Sequence, residues 1–361
     1  MAAPVISPWL FSRRWDLLLF GGSTALALLF LGIGHATGLL DGDAPPWLFL
    51  VAVVGVDVAH VWATGWRVLA DGSAARARLA LYLGVPLAAW AAGVAAYSVS
   101  ALFFWRVLAY LAVFHFVRQQ YGWVALYRRK NGEGKDGRLL DAAAIYGATL
   151  TPLLFWHAHL PRRFQWFLRG DFVNGLPEGV SRVAFVLYAG IFAAWVVKEV
   201  AGARAGRPVS WGKVLIVLST AATWFLGIVV FDSDYAFTVT NVFVHGIPYM
   251  GLVWFTSKSR ARARREAGDA PSLSDRMTPK LVFFLVPLLL VAFAEEWGWD
   301  RLIWHDHAVL FPGPALDPGA LLLVLIVPLL ALPQATHYVL DAFLWKVRPE
   351  NRGTVEALGI R

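Results

Sequence analysis

The sequence has no cysteine and few charged residues. Because none of the 361 residues is Cys, disulfides, iron–sulfur clusters and thiolate metal sites are excluded. Only 16% of the residues are charged, against about a quarter in a typical soluble domain. Hydrophobic residues make up 58% of the chain, and the mean hydropathy is +0.58. These values predict a polytopic membrane protein in which any metal is held by His, carboxylate, amide or water oxygen.

Ten apolar segments have about the 20 residues that a bilayer-spanning helix needs. They cover 16–35, 47–66, 79–98, 101–125, 141–160, 182–201, 211–231, 235–257, 280–297 and 319–345. We interpret the first, which follows Arg13 and Arg14, as a retained helix rather than a cleavable signal peptide. The predicted fold class is therefore an all-α, polytopic transmembrane helical bundle of about ten spans. It is expected to form one transmembrane helical domain over residues 1–361.

The formal net charge of +8 is concentrated in alternate loops between the predicted spans. One example is the basic stretch at 258–265, which we interpret as a cytoplasmic loop, whereas Glu295 and Glu296 are assigned to the opposite, outer side. This alternation predicts that both termini are cytoplasmic. The expected location is the bacterial inner (plasma) membrane, with several passes. The expected partners are membrane lipids and an apolar small-molecule substrate, and no nucleic acid.

Four of the nine histidines lie inside apolar spans, each with a polar residue three or four positions away. The four segments are Asp57-Val-Ala-His60, His115-Phe-Val-Arg118-Gln119, Asn241-Val-Phe-Val-His245 and His337-Tyr-Val-Leu-Asp341. These spacings place both members of a pair on one helix face. A charged group in hydrocarbon costs roughly 2.5–3.5 kcal/mol on insertion scales. Four such groups on four spans predict that the histidines converge on a metal ion.

The partner residues suggest how such a centre would be organised. A metal-bound imidazole usually donates its second ring N–H to a carboxylate, carbonyl or amide. The side chains of the right type and spacing are Asp57, Gln119, Asn241 and Asp341, which are also candidates for direct oxygen ligands. Arg118 and Tyr249 are the candidate catalytic residues, for stabilising an oxyanion or a peroxide. Imidazole and oxygen ligands suit Fe(II), Zn, Mn or Cu. The residues alone leave the choice among these divalent metals open, with haem as a further alternative.

Histidines contributed by several membrane spans, without any thiolate, resemble the Brp/Blh family of bacterial membrane β-carotene dioxygenases. The resemblance is carried by the constellation of His60, His115, His245 and His337. It implies a polyhistidine non-haem iron site within the bundle that splits an apolar polyene with O₂. The expectation for this chain is therefore a membrane oxidoreductase acting on an isoprenoid or another lipid-soluble substrate.

Two other functions also fit the pattern. The histidines would serve as axial ligands in a haem b or quinone redox module, with His115 and His245 as the best-matched pair. In a proton- or cation-coupled transporter they would relay protons or bind a cation. A second set of histidines, His157, His159, His305 and His307, is assigned to the outer face. Its role, like the substrate and the oligomeric state, stays open at this point.

Overall fold

The computed structural model describes residues 8–42, 44–69, 78–346 and 357–360, and every regular element among them is helical. Ten helices are long and apolar enough to cross a membrane, which confirms the predicted fold class. They are α1 Arg13–Thr37, α2 Pro46–Val68, α3 Leu79–Val99, α4 Ala101–Lys130, α5 Arg138–Ala158, α6 Glu178–Arg204, α7 Trp211–Val230, α8 Asp234–Glu266, α9 Leu281–Trp304 and α10 Ala320–Leu344.

Several helices continue past the end of their apolar segment. The basic stretch at 258–265, predicted as a loop, belongs to the last turns of α8, which ends at Glu266. Glu295 and Glu296 lie within α9, as the predicted span 280–297 has them, and are buried, with exposed fractions of 9% and 7%. Their assignment to the outer side stays a prediction. A helix does not need apolar residues at its ends, because Lys, Arg and Glu are good helix formers. Hydropathy therefore places the centre of a span better than its ends.

Two of the helices that carry histidines depart from regular α geometry. In α2, Phe49–Val58 is π-helical, and α-helical geometry resumes at Ala59, directly before His60. In α10 the α-helix is interrupted at Ala331, two residues before Pro333, and resumes through His337. Proline removes a backbone hydrogen bond and bends a helix, and π segments are frequent at functional sites. Both irregularities lie within about two turns of a histidine.

By packing, the chain divides into two compact units, and the divisions fall within α4 and α8. The first unit comprises Met1–Asp43, Val113–Pro248 and Leu358–Arg361. Within it, α5 packs along α6 and α7. Its side chains include a buried ionic cluster, in which Asp141 accepts from Trp195 Nε1 at 2.9 Å. Asp141 also pairs with three cations: Arg128, Lys198 and Lys213.

The second unit comprises Ala44–Ala112 and Tyr249–Ala357. Within it, α2 packs against α9 and α10, and α3 packs against α10. Polar contacts tie these helices together: Trp62 Nε1 donates to Glu295 Oε2 at 2.6 Å, and Trp66 Nε1 donates to Thr278 Oγ1 at 3.3 Å. A hydrogen bond inside an apolar bundle satisfies groups that have no access to water. These contacts therefore fix the rotation of α2, which carries His60.

Candidate metal centre

All four histidines predicted as ligands are buried, with exposed fractions between 0% and 5%. His60 and His337 belong to the second unit, on α2 and α10, and His115 and His245 belong to the first, on α4 and α8. Burying four imidazoles in spans of this hydropathy is unfavourable unless their nitrogens are engaged. The surroundings of each pair show how the rings are held.

His60 and His337 meet edge to face, with ring centroids 4.9 Å apart and planes at 82°. The ring of Tyr249 lies against both, at 5.7 Å from His60 and 5.1 Å from His337, in each case nearly perpendicular. Edge-to-face packing is a favoured arrangement for aromatic rings. The phenol ring of Tyr249 therefore holds the two imidazoles in their mutual orientation.

A chain of hydrogen bonds runs from His337 to Asp341. His337 Nδ1 lies 2.7 Å from Thr64 Oγ1, which lies 2.7 Å from Tyr249 Oη, and Tyr249 Oη donates to Asp341 Oδ1 at 2.6 Å. Each hydroxyl carries one proton. Tyr249 donates to Asp341, so the single proton of Thr64 goes to Tyr249 Oη or to Asp341 Oδ1, which lies 3.4 Å away. In both cases Thr64 accepts from His337 Nδ1–H. This order assigns the tautomer of His337 whose unprotonated nitrogen is Nε2, a form able to bind a metal.

Asp341 therefore acts on His337 indirectly. Its Oδ1 lies 3.7 Å from His337 Nδ1, beyond ordinary hydrogen-bond distance, while Thr64 bridges the two. Trp345 Nε1 also donates to Asp341 Oδ1, at 3.2 Å. Sequence reasoning paired Asp341 with His337 but missed Thr64. The available signal was the position of Thr64 four residues after His60, on the same face of α2.

Asp57 lies beside His60, as the spacing predicted. Its Oδ1 is 3.6 Å from His60 Nδ1, and its side chain is about one-third exposed. The distance is just beyond a hydrogen bond, so a small rotation of either side chain would bring them into contact. The predicted role of Asp57 as an orienting partner of His60 stays a prediction.

In the first unit, His115 and His245 also meet edge to face, with centroids 5.2 Å apart and planes at 84°. Phe116 stacks flat on His245, with a centroid distance of 3.5 Å and an interplanar angle of 7°. Gln119 Nε2 donates to the backbone oxygen of His245 at 2.9 Å. Gln119 therefore holds the backbone of α8 rather than the imidazole. Phe116, which sequence reasoning did not single out, fixes the plane of the His245 ring.

Asn241 is 2% exposed, and its Nδ2 donates to the backbone oxygen of Phe237 at 3.0 Å. This carbonyl lies four residues earlier on the same helix. Within the described part of the chain, Asn241 Oδ1 has no hydrogen-bond partner. The spacing predicted a contact between Asn241 and His245, but Asn241 Nδ2 donates to the backbone oxygen of Phe237 instead.

The four histidines form one buried group. Each offers one ring nitrogen, and these four atoms lie within 4.8 Å of one another. Ligand nitrogens at about 2.1 Å from a single ion are at most about 4.2 Å apart. The four imidazoles are a candidate ligand set for one metal ion. In the described residues no other group of three or more His, Asp or Glu is arranged in this way.

Arg118 does not join this group. Its side chain is exposed, donates to Tyr146 Oη and lies over the ring of Tyr121 at 5.1 Å. Arg118 follows His115 by three residues in the sequence. Its long side chain can nevertheless extend away from the imidazole and pack on aromatic rings. The catalytic role of Arg118 stays a prediction, as does that of Tyr249, whose ring lies directly against two of the imidazoles.

The histidines assigned to the outer face are engaged locally. His157 Nδ1 and His159 Nδ1 contact backbone oxygens at the end of α5, at 2.7 Å and 2.8 Å. Their rings stack on Phe172 and Phe155, and the ring of His307 lies 3.8 Å from that of Phe49. These contacts are typical of aromatic residues at an interface, where the ring packs and the nitrogen is satisfied.

Comparisons of this chain with models of protein families, with curated proteins and with solved structures find no match. The resemblance to the Brp/Blh family stays a prediction. What the chain does is inferred below from its helices and its side chains.

Proposed function

We propose that this chain is an integral membrane metalloenzyme, a non-haem iron oxygenase that acts on a lipid-soluble substrate. The observation that carries the proposal is the buried group of His60, His115, His245 and His337, with ring nitrogens within 4.8 Å of one another. A shared cation would explain why four imidazoles are buried together in a bundle of ten membrane-length helices. The proposed location is the bacterial inner membrane.

The donor set suits iron in its divalent state. Nitrogen donors without sulfur fit Fe(II), and they also fit Zn, Mn and Cu(II). The carboxylate of Asp341 reaches His337 through the hydroxyls of Thr64 and Tyr249, and an imidazole whose N–H is held in this way is a stronger and better oriented donor. An iron centre would supply the activation of O₂, which no side chain in this group provides alone.

The protein's own side chains have separate roles in this proposal. Thr64 fixes the tautomer of His337, and Phe116 fixes the plane of His245. The Tyr249 hydroxyl is tied to Asp341 and Thr64. The Tyr249 ring packs against His60 and His337, so its hydroxyl is a proton-carrying group beside two of the imidazoles. Bulk water has little access because all four histidines are at most 5% exposed.

A haem or quinone module remains the alternative within redox chemistry, and a transporter the alternative outside it. A haem takes one or two axial protein ligands, whereas four imidazoles gather here. The arrangement therefore favours a bare metal ion over haem. The arrangement also favours a metal ion over a proton relay. A relay requires proton-carrying groups in a row, whereas these four histidines lie in one group.

Elemental analysis combined with an absorption spectrum tests the proposal on protein purified in detergent without chelators. We expect about one iron per chain and no Soret band. His245→Ala and His337→Ala should each lose the metal, whereas His35→Ala, which removes an exposed histidine of α1, should keep it. A Soret band would replace the proposal with a haem module, and metal-free protein would leave the transporter.

A further inference from the structure

A cavity of about 730 Å³ lies within the second unit, among α2, α3, α9 and α10. It is lined on one side by Thr64 and His337, both part of the hydrogen-bond chain described above. Small-molecule sites typically have volumes of about 300–1,000 Å³. The cavity is therefore large enough for a substrate and adjoins one of the four proposed ligands.

The remaining wall of the cavity is mostly apolar, with Tyr82 and Thr336 as its other polar side chains. No Asp, Glu, Lys or Arg lines it, and its largest contributors are Trp62 and Trp66. A charged ligand would lose its hydration here without gaining a partner, at a cost of several kcal/mol. The lining therefore suits a molecule that is neutral and mostly hydrocarbon. A polar or reactive group of that molecule would lie near Thr64 and His337.

Prolines in three different helices create the space. Pro86 of α3, Pro287 of α9 and Pro333 of α10 all line the cavity. The ring of a proline removes a backbone hydrogen bond and displaces the preceding turn. Three such bends facing one volume keep the helices from closing on one another. The prolines that line the cavity therefore come from distant parts of the sequence, Pro86 from α3 and Pro287 and Pro333 from α9 and α10.

The cavity is reached from the outer surface of the helices. Val291 and Leu329 line it and are 40% and 54% exposed. Both belong to membrane-length helices, so this exposed surface faces the hydrocarbon of a bilayer. A molecule dissolved in the bilayer would enter sideways, without passing through water.

We infer that this cavity binds the long-chain hydrocarbon part of a neutral, lipid-soluble substrate and presents it to the side of the centre formed by His337. The inference rests on the proposed function only in calling the bound molecule a substrate. The binding of a neutral hydrocarbon stands on the cavity itself. The expected occupant is a free, neutral molecule dissolved in the bilayer, and not an acyl chain of the surrounding phospholipid.

Photocrosslinking with a 16-carbon alkane that carries a diazirine tests the inference on the full-length protein in lipid nanodiscs. We expect saturable labelling of cavity residues that squalene competes away. Leu329→Trp fills the cavity and should reduce the apparent affinity at least about tenfold, as should the milder Val291→Phe. Leu290→Trp is the matched control: Leu290 is 66% exposed on α9 but does not line the cavity. It should leave the labelling unchanged.

Metal content measured on the same samples separates the two proposals. Both proposals are supported if the unchanged protein is labelled saturably, Leu329→Trp and Val291→Phe weaken that labelling, and all four proteins contain the metal. Labelling that does not saturate, or that Leu329→Trp and Val291→Phe leave intact, overturns the inference even when the metal is bound. Equal labelling by a phospholipid with a diazirine in its acyl chain identifies a lipid site and overturns the inference as well. Saturable labelling of a metal-free protein retains the hydrocarbon site but contradicts the proposed function.

Discussion

Thr64 and His337, 273 residues apart in the chain, meet through a 2.7 Å contact between Oγ1 and Nδ1. This contact is the first step of the chain through Tyr249 to Asp341. It decides which nitrogen of His337 remains available as a ligand. The orientation of one proposed ligand therefore depends on a hydroxyl contributed by α2, the same helix that carries His60.

Thr64→Val should weaken metal binding without removing a ligand. Valine has nearly the shape of threonine but cannot accept from His337 Nδ1, and the loss of such an outer partner typically costs about 10–100-fold in metal affinity. Competition with a chelator of known affinity would measure the change. Thr64→Ser keeps the hydroxyl and should restore most of the affinity. Equal metal affinity in the Val variant and the unchanged protein would contradict the tautomer assignment.

Tyr249→Phe tests the next link of the chain. The ring that packs on His60 and His337 is kept, but the 2.6 Å bond to Asp341 is lost. We expect the metal to stay bound and turnover to fall, because a proton-carrying group beside His60 and His337 is removed. Tyr110→Phe changes an exposed tyrosine of α4 and should alter neither property. Unchanged turnover in Tyr249→Phe, measured with a substrate found by screening, would exclude Tyr249 from the chemistry.

Asp141→Asn should strongly destabilise the first unit. Asp141 is fully buried and pairs with three cations, and the change leaves these three positive charges with only two carboxylates, Glu133 and Glu199. Breaking a buried ion pair by removing one partner typically costs about 3–5 kcal/mol. Thermal unfolding in detergent would show a lower midpoint. Glu178→Gln, which removes an exposed pair with Arg182, should leave the midpoint unchanged.

Gly212→Ala should also destabilise the protein, through a steric clash. A methyl group at this position would overlap the ring of Tyr127, whose hydroxyl donates to buried Asp16 at 2.6 Å. Overpacking of this kind costs about 1–3 kcal/mol. Gly190→Ala is the control, because nothing lies within 4 Å of the added methyl group, and alanine favours a helix. A midpoint in Gly212→Ala as high as that in Gly190→Ala would contradict the packing of Tyr127.

The sequence alone predicts the number of spans and the residues that form the buried histidine group. Hydropathy locates ten helices because each must supply about 20 apolar residues, and a histidine inside such a segment is conspicuous. Spacing of three or four correctly places Asp57 beside His60. These signals are local, so they can be read along a single helix.

Contacts between helices could not be predicted in the same way. The bridge from Thr64 to His337 depends on how α2 and α10 pack, and threonine is common in membrane helices. The flat stacking of Phe116 on His245 and the orientation of Arg118 toward Tyr146 depend on side-chain rotamers. Spacing brought Arg118 into the predicted site because it lies near His115. Its guanidinium donates to Tyr146 Oη and lies over the ring of Tyr121.

X-ray absorption at the metal edge of the purified protein would test the central claim most directly, since it counts the imidazoles bound to the ion. The account predicts an iron edge and about four imidazole nitrogens near 2.1 Å, with one fewer in His337→Ala if any metal is retained. An ion surrounded only by oxygen, or an imidazole count that His337→Ala does not change, would contradict the four-histidine centre.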